Sequence, residues 1–192
     1  MSMRLLIVGA GGHGRSVAEA AQMGGRYGVV GFIDDAAAVS SRIMGFSVLG
    51  PSTSLAEHRA RADVVIVAVG NNRVREALHV LLREAGFTLA TVVHPGALVS
   101  PSATLGSGCA IMAGAIVGTE AALGEGAIVN CGAVVDHHCQ VGDFGHLGVN
   151  ASMAGGSVLG RRGWMQAGAA LGYGVRVPDE AILGPGEALS GA

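Results

Sequence analysis

The sequence predicts two unlike halves: a small α/β domain with a parallel sheet over residues 1–94 and a parallel β-helix over residues 95–192. Three observations carry this. From Val99 to Leu183 every sixth residue is aliphatic or Met, fifteen positions without a slip of register. A G-x-G-x-x-G run, Gly9–Gly14, stands between an apolar strand and a helix. Apolar strands and helix-length segments then alternate up to Val93, the pattern of a sheet built with crossover connections.

Taken in order, Arg4–Ala10 (RLLIVGA) reads as a buried strand, and Arg15–Met23 as the helix after the glycine loop. Such a loop brings backbone N–H groups and a helix N-terminus to a phosphate. Val29–Ile33 is the second strand and ends in Asp34-Asp35, where an acid would hold a ribose in a dinucleotide-binding fold. Ser47–Leu49 is a short strand, Ser52 to Arg61 a weak helix, and Asp63–Val69 (DVVIVAV) a clear strand. Gly70-Asn71-Asn72 caps an amphipathic helix, Arg73–Ala85, with Val74, Ala77, Leu78, Leu81 and Leu82 expected on its buried face. Thr88–Val93 is the last strand, and His94-Pro95 marks the hand-over to the second half. Three readings of the glycine loop stand together: a nicotinamide dinucleotide site, a sugar-nucleotide site, or a tight turn with close helix packing. Only about five strands are in view, half of a full two-unit dinucleotide fold.

A period of six fits neither a helix nor a plain alternating strand. It fits short strands joined by corners, with the aliphatic residue pointing inward and small residues letting the backbone turn. Four residues after each aliphatic the chain is nearly always small, as at Ala103, Cys109, Ala115, Ala121 and Ala127, and the residue just after it is usually Gly. Three hexads make one triangular coil, so the repeat predicts about five coils stacked to a height of roughly 24 Å.

Composition excludes several classes. A formal net charge of −2 with scattered Arg gives no surface for nucleic acid. Residues 86–119 lack Asp, Glu, Lys and Arg, yet the hexad register with Pro95 and Pro101 opposes a membrane span. Met1–Arg4 runs straight into a strand with no charged-then-apolar leader. The three cysteines have no metal-type spacing, and Cys109 and Cys139 fall in the small inward column. The expectation is a reduced, cytoplasmic protein.

The histidines carry the chemistry. Asp136, His137 and His138 share one hexad, and His146 follows nine residues later. Residues eighteen apart stack, so Thr119, His137, Gly155 and Tyr173 form one column and Ile128, His146, Trp164 and Ile182 another. His137 and His138 sit at corner positions and point outward, as does His146 beside the inward Leu147. An outward histidine can simply be solvated, but three within ten residues suit a base for an amine or hydroxyl attacking a thioester. There is no Gly-x-Ser-x-Gly elbow, and nothing activates Cys131, so direct transfer is expected over an acyl-enzyme.

The hexad pattern resembles the left-handed β-helix of hexapeptide-repeat acyltransferases, and the left hand is taken from that resemblance. The chain as a whole resembles the NeuD/PglD-type sugar acetyltransferases. The segments that carry this are Gly9–Gly14 with His13, Ile33-Asp34-Asp35, Ala68–Asn72, Val93-His94-Pro95 and Val135–Gly156. The resemblance implies acetyl transfer from acetyl-CoA to a nucleotide-linked 4-amino-4,6-dideoxy sugar, with no metal. It implies His137 as general base, flanked by Asp136 and His138. It places His146 against the acetyl group or its thioester, and Gly155 and Ala167 along coenzyme A. It gives Gly11, Gly12, His13, Asp34 and Asp35 to the nucleotide of the sugar, and it implies a homotrimer with sites between subunits. One departure stands out. The family carries Glu or Asp after the base, whereas here the residue is His138, so Asp136 or a neighbouring subunit is expected to supply the carboxylate. The C-terminal Gly-x-Pro-Ala-Lys segment that often helps cover coenzyme A is absent from the sequence, and Pro185 stands where a Gly contact is expected.

Rival readings are O-acetylation of sialic acid, a β-helix lyase or hydratase with zinc on converging histidines, and a non-enzymatic nucleotide-binding regulator. The zinc reading needs three histidines in one place, and His137, His138 and His146 do not share a column.

Overall fold

The computed structural model describes residues 2–191. It divides into two compact units, Met1–Val92 and Val93–Ala192. The chain adopts the fold class read from the sequence, a small α/β domain followed by a left-handed parallel β-helix.

The first unit contains β1 (Met3–Val8), α1 (Gly12–Gly24), β2 (Tyr27–Ile33), β3 (Arg42–Ile43), β4 (Phe46–Gly50), a 3-10 helix (Ser52–Arg61), β5 (Val64–Val67) and α2 (Asn72–Glu84). The strands form one sheet in the order β3-β4-β2-β1-β5. All pairs are parallel except β3 with β4, an edge hairpin that was not expected from the sequence. The chain leaves β1 to place β2 on one side and β5 on the other, so the end of β1 is a topological switch point, where open α/β sheets leave a crevice. The expected strand over Thr88–Val93 is reduced to a single bridge, Val65 with Leu89. Its last residues, Val92–Val93, instead begin a sheet of the β-helix.

Helix α2 corrects the expected face. Val74 and Leu81 are about half exposed, whereas Arg75, Leu78, His79 and Leu82 are buried. The helix is rolled because Arg75 reaches back under its own N-terminus, donating to the carbonyls of Val69 (3.0 Å) and Gly70 (3.2 Å) and to Asn72 Oδ1 (2.9 Å). A guanidinium with its donors satisfied can be buried at a cost that an unpaired one could not meet. Asn71 caps the helix, its Oδ1 accepting from the Val74 amide at 3.1 Å.

The second unit is three parallel sheets of two-residue strands. Sheet I holds Leu98–Val99, Ile116–Val117, Val134–Val135, Ser152–Met153, Ala170–Leu171 and Ala188–Leu189. Sheet II holds Thr104–Leu105, Ala122–Leu123, Gln140–Val141, Val158–Leu159 and Arg176–Val177. Sheet III runs from Val92–Val93 through Ala110–Ile111, Ile128–Val129, His146–Leu147 and Trp164–Met165 to Ile182–Leu183. The inward column is buried from Ile111 to Leu183, packed against the small column that includes Cys109, Ala115, Ala121, Ala127, Ala133 and Cys139. No helix among the described residues is long and apolar enough to cross a membrane.

The glycines after the aliphatic residues serve a different purpose from the turning role expected of them. A Cβ on Gly106, Gly124, Gly142 or Gly160 would lie 2.5–2.6 Å from backbone atoms of the next coil. These glycines therefore set the spacing between coils. The left-handed backbone falls two residues later, at Glu120, His138, Phe144, Asn150, Arg162 and Glu180 and at several glycines of the same columns.

Candidate active site

At the switch point of the first unit the glycines divide by role. Gly9 has φ +103 and a Cβ there would lie 2.8 Å from the Ala68 carbonyl; a Cβ on Gly14 would run into the Gly9 carbonyl. Those two hold the turn and the helix against the strand. Gly11 and Gly12 are exposed, and a Cβ on either would meet nothing within 4 Å, so their backbone faces open space at the start of α1. The first N–H groups of a helix have no intrahelical partner, and here they stand ready for an anion.

Asp34 is committed to the loop. Its Oδ2 accepts from the Ala10 amide at 2.7 Å, and its Oδ1 accepts from Ala36 (2.9 Å) and Ala37 (2.8 Å). Burial pushes this carboxyl up, but the three backbone donors outweigh it and hold the group below the usual range. Asp35 accepts from the Ser52 amide at 2.6 Å and meets the Ser52 hydroxyl at 3.0 Å. Both acids of the pair thus tie the loops around the crevice together. His13 lies beneath the loop, its Nε2 buried without a hydrogen-bond partner among the described residues. Burial, then the nearby Arg75 charge, lowers its pKa to about 4, so the imidazole is neutral at physiological pH.

In the β-helix, His137 and His138 occupy the corner between sheets I and II. Both rings are exposed and set edge-to-face, centroids 5.1 Å apart, with Nδ1 facing Nδ1 at 2.9 Å. The other nitrogen of His138 meets Glu120 Oε2 at 3.0 Å. Glu120 occupies the same corner position one coil earlier, eighteen residues back. Asp136 Oδ2 is 3.7 Å from His137 Nε2, too far for a hydrogen bond. Gly155 lies directly against the His137 ring, where a Cβ would be 2.5 Å from Nε2.

His146 is elsewhere. It pairs in register with Ile128 and Trp164 on sheet III, the face opposite the His137 corner in the triangular section. Its ring stacks on the Trp164 indole, centroids 5.9 Å apart and planes 20° from parallel. Ala167 is exposed at the corner between sheets III and I. One chain therefore brings together Asp136, His137, His138 and Gly155, and leaves His146 and Ala167 on another side. Sequence reasoning missed Glu120, although the eighteen-residue offset from His138 was there to find it. Among the described residues no group of three His, Cys, Asp or Glu side chains could hold a metal ion.

An α/β unit with an open glycine loop, followed by a hexapeptide-repeat β-helix with a histidine corner, is the make-up of a hexapeptide-repeat acyltransferase. Residues 4–81 match the PglD N-terminal domain family. A UDP-N-acetylbacillosamine N-acetyltransferase of Bacillus subtilis (strain 168) is 35% identical over 114 residues, 56% of this chain and 50% of that protein. This chain thus spans about half the length of that curated relative. A GDP-perosamine N-acetyltransferase of Escherichia coli O157:H7 is 27% identical over 88% of this chain and 78% of its own length. Among solved structures, PerB from Caulobacter crescentus, in complex with CoA and GDP-perosamine, superposes with a TM-score of 0.91 at 36% identity over 96% of this chain and 87% of that one. The acetyltransferase domain of PglB from Neisseria gonorrhoeae FA1090, in complex with acetyl coenzyme A, gives 0.79 at 34% identity over 100% and 97%. The chain belongs to the NeuD/PglD-type family of sugar O- and N-acetyltransferases.

Proposed function

We propose that this protein transfers the acetyl group of acetyl-CoA to the amine of a nucleotide-linked 4-amino-4,6-dideoxy sugar. The amine nitrogen attacks the thioester carbonyl while His137 Nε2 takes its proton; the C–S bond breaks, and the departing thiolate leaves as the thiol after accepting a proton from the imidazolium. The observation that carries this is the corner geometry. His137 Nδ1 is occupied by His138, which leaves Nε2 as the outward nitrogen over a glycine-cleared surface. Asp136 Oδ2 lies 3.7 Å from that nitrogen. The open amides of Gly11 and Gly12 would take the diphosphate, with His13, Asp34 and Asp35 holding the crevice in shape.

The placement of the two histidine groups supports a homotrimer. His146, expected to steady the acetyl carbonyl, lies on the sheet opposite the His137 corner of its own chain. The inward aliphatic column lies between them, so they meet one thioester only if they come from neighbouring copies. Coenzyme A would then lie between copies, against Gly155 of one and Ala167 of the other. The exposed Leu98, Ile116, Trp164 and Ile182 give the β-helix apolar surface to bury in such contacts. A nucleotide sugar and acetyl-CoA are cytoplasmic reagents, and the protein is proposed to act there.

The test is release of free thiol from acetyl-CoA against UDP-, dTDP- and GDP-linked 4-amino sugars and free sialic acid, with His137→Ala alongside. Turnover with one nucleotide amino sugar, lost in the variant, supports the proposal. Turnover only with sialic acid would move the reaction to O-acetylation.

A further inference from the structure

We infer that Glu120 and His138 are positioning residues that set the tautomer of His137 through a carboxylate–imidazole–imidazole relay. The inference rests on His137 being the base, but its central claim concerns proton positions in the resting protein. A neutral imidazole has one N–H and one lone pair. Two Nδ1 atoms at 2.9 Å cannot both be lone pairs without repulsion, nor both carry hydrogens, so one donates and the other accepts. The Glu120 carboxylate only accepts, and it meets His138 Nε2 at 3.0 Å. That requires the hydrogen of His138 on Nε2, leaves His138 Nδ1 as an acceptor, and so places the hydrogen of His137 on Nδ1. The His137 lone pair is then on Nε2, the nitrogen that must receive the proton. A carboxylate one coil away thereby selects the competent form of the base.

The bland account is that stacked corner side chains merely tie coils together. Arg162 and Glu180, also eighteen residues apart and also left-handed, form such a tie at a different corner. What sets the Glu120–His138 contact apart is the third member. His138 passes its far nitrogen to His137, whereas a tie needs only two groups. The positions also argue for it. Glu120 and His138 have φ of 57 and 58, while the next two coils of this corner place Gly156 and Gly174 there, so at this corner the left-handed positions that carry side chains are the two of the relay. Charge follows the same path. When Nε2 takes a proton, the Nδ1 hydrogen of His137 can shift toward His138, whose Nε2–H already faces the carboxylate, so the positive charge is stabilised without a carboxylate touching the base.

Two measurements on the full chain test this. Long-range proton–nitrogen NMR correlations of histidine-labelled protein above the range of imidazole protonation should show His137 as the Nδ1–H tautomer and His138 as Nε2–H. In Glu120→Ala, His137 should move toward the Nε2–H form that free imidazole prefers. A wild-type His137 protonated on Nε2, or a tautomer indifferent to Glu120, overturns the relay whatever the substrate proves to be. With the acceptor found in the thiol-release panel, Glu120→Ala should lower kcat by about tenfold to a hundredfold, the usual effect of losing an orienting partner, with KM nearly unchanged. His138→Glu in a Glu120→Gln background places an acceptor straight against His137 Nδ1 and should restore kcat to within a few-fold of wild type. A merely structural tie predicts loss of folded protein in Glu120→Ala and no recovery in the double variant, and that result overturns the inference. An unreactive panel with the expected tautomers would leave the relay standing and the acceptor wrong.

Discussion

Mild acid should weaken the first unit selectively, through His13 and His79. Both imidazoles have pKa values lowered to about 4, in each case first by burial and then by Arg75, with Arg83 adding to the effect on His79. The unfolded value is about 6.5. A depressed histidine is neutral when folded, so between these values the unfolded chain binds more protons and stability falls as pH falls. The stabilisation is fully present above about pH 6.5 and is lost on the way down to about pH 4. Going from pH 7 to pH 5, each group costs about 2 kcal/mol, and the pair about 3–4 kcal/mol if they titrate independently. Asp34, held below the usual carboxylate range, stays ionised across this window and does not mask the effect. Both α-helices lie in Met1–Val92, so helical ellipticity during urea titration reports this unit. The midpoint should drop sharply between pH 7 and pH 5 in wild type, and much less in a His13→Gln, His79→Gln double variant. An equal drop in both proteins would refute the assignment to these two imidazoles.

Four further outcomes follow from particular contacts. Gly155→Ala drives a methyl into the His137 ring, so kcat should fall by about tenfold to a hundredfold while the thermal midpoint barely moves, since a misplaced reacting group is costly and an exposed ring can shift. Gly160→Ala sets a Cβ 2.5 Å from the backbone of Pro178 and Asp179 and should destabilise the β-helix by about 1–3 kcal/mol in urea titration. Gly184→Ala, which meets only Glu187 Oε2 at 3.6 Å, should be near neutral in the same assay. Arg75→Met strips partners from the Val69 and Gly70 carbonyls and should cost the first unit about 2–4 kcal/mol, weakening nucleotide diphosphate binding measured by calorimetry.

The β-helix was legible because its signal is a register. Once Val99 fixes the phase, each inward residue, the Ile128–His146–Trp164–Ile182 column and the placement of Gly155 beside His137 follow by counting. The glycines were legible in position but not in purpose, since closeness between coils does not appear in a one-dimensional pattern. Helix α2 misled for a related reason. An apolar-face count favours Val74 and Leu81 over Arg75 and His79, and only the carbonyls of Val69 and Gly70, brought under the helix by the turn after β5, make burial of a guanidinium acceptable. Asp34 shows a third limit. Its distance from the glycines matches a ribose ligand, yet the same distance lets it pin the Ala10 amide, and the sequence does not distinguish the two.

The three corners of the prism argue for where the acceptor approaches. At the corner between sheets III and I, the left-handed positions are Gly114, Gly132, Asn150, Gly168 and Gly186, nearly bare throughout. At the corner between sheets II and III, Gly108 and Gly126 come first, and Phe144, Arg162 and Glu180 then fill successive coils, the last two joined by an ion pair. The His137 corner is divided in the opposite order. Glu120 and His138 occupy two coils, then Gly156 and Gly174 follow, each with nothing within 4 Å of a Cβ, and Gly155 clears the space against the ring. Along this edge the reacting side chains thus occupy the coils before Gly155, and open space the coils after it. A sugar amine reaching His137 Nε2 needs a side free of bulk, and the glycine side supplies it. Filling that side with Gly156→Leu should raise the KM for the acceptor and leave the His137 tautomer as it was. An unchanged KM would mean that the amine comes in over Asp136 instead.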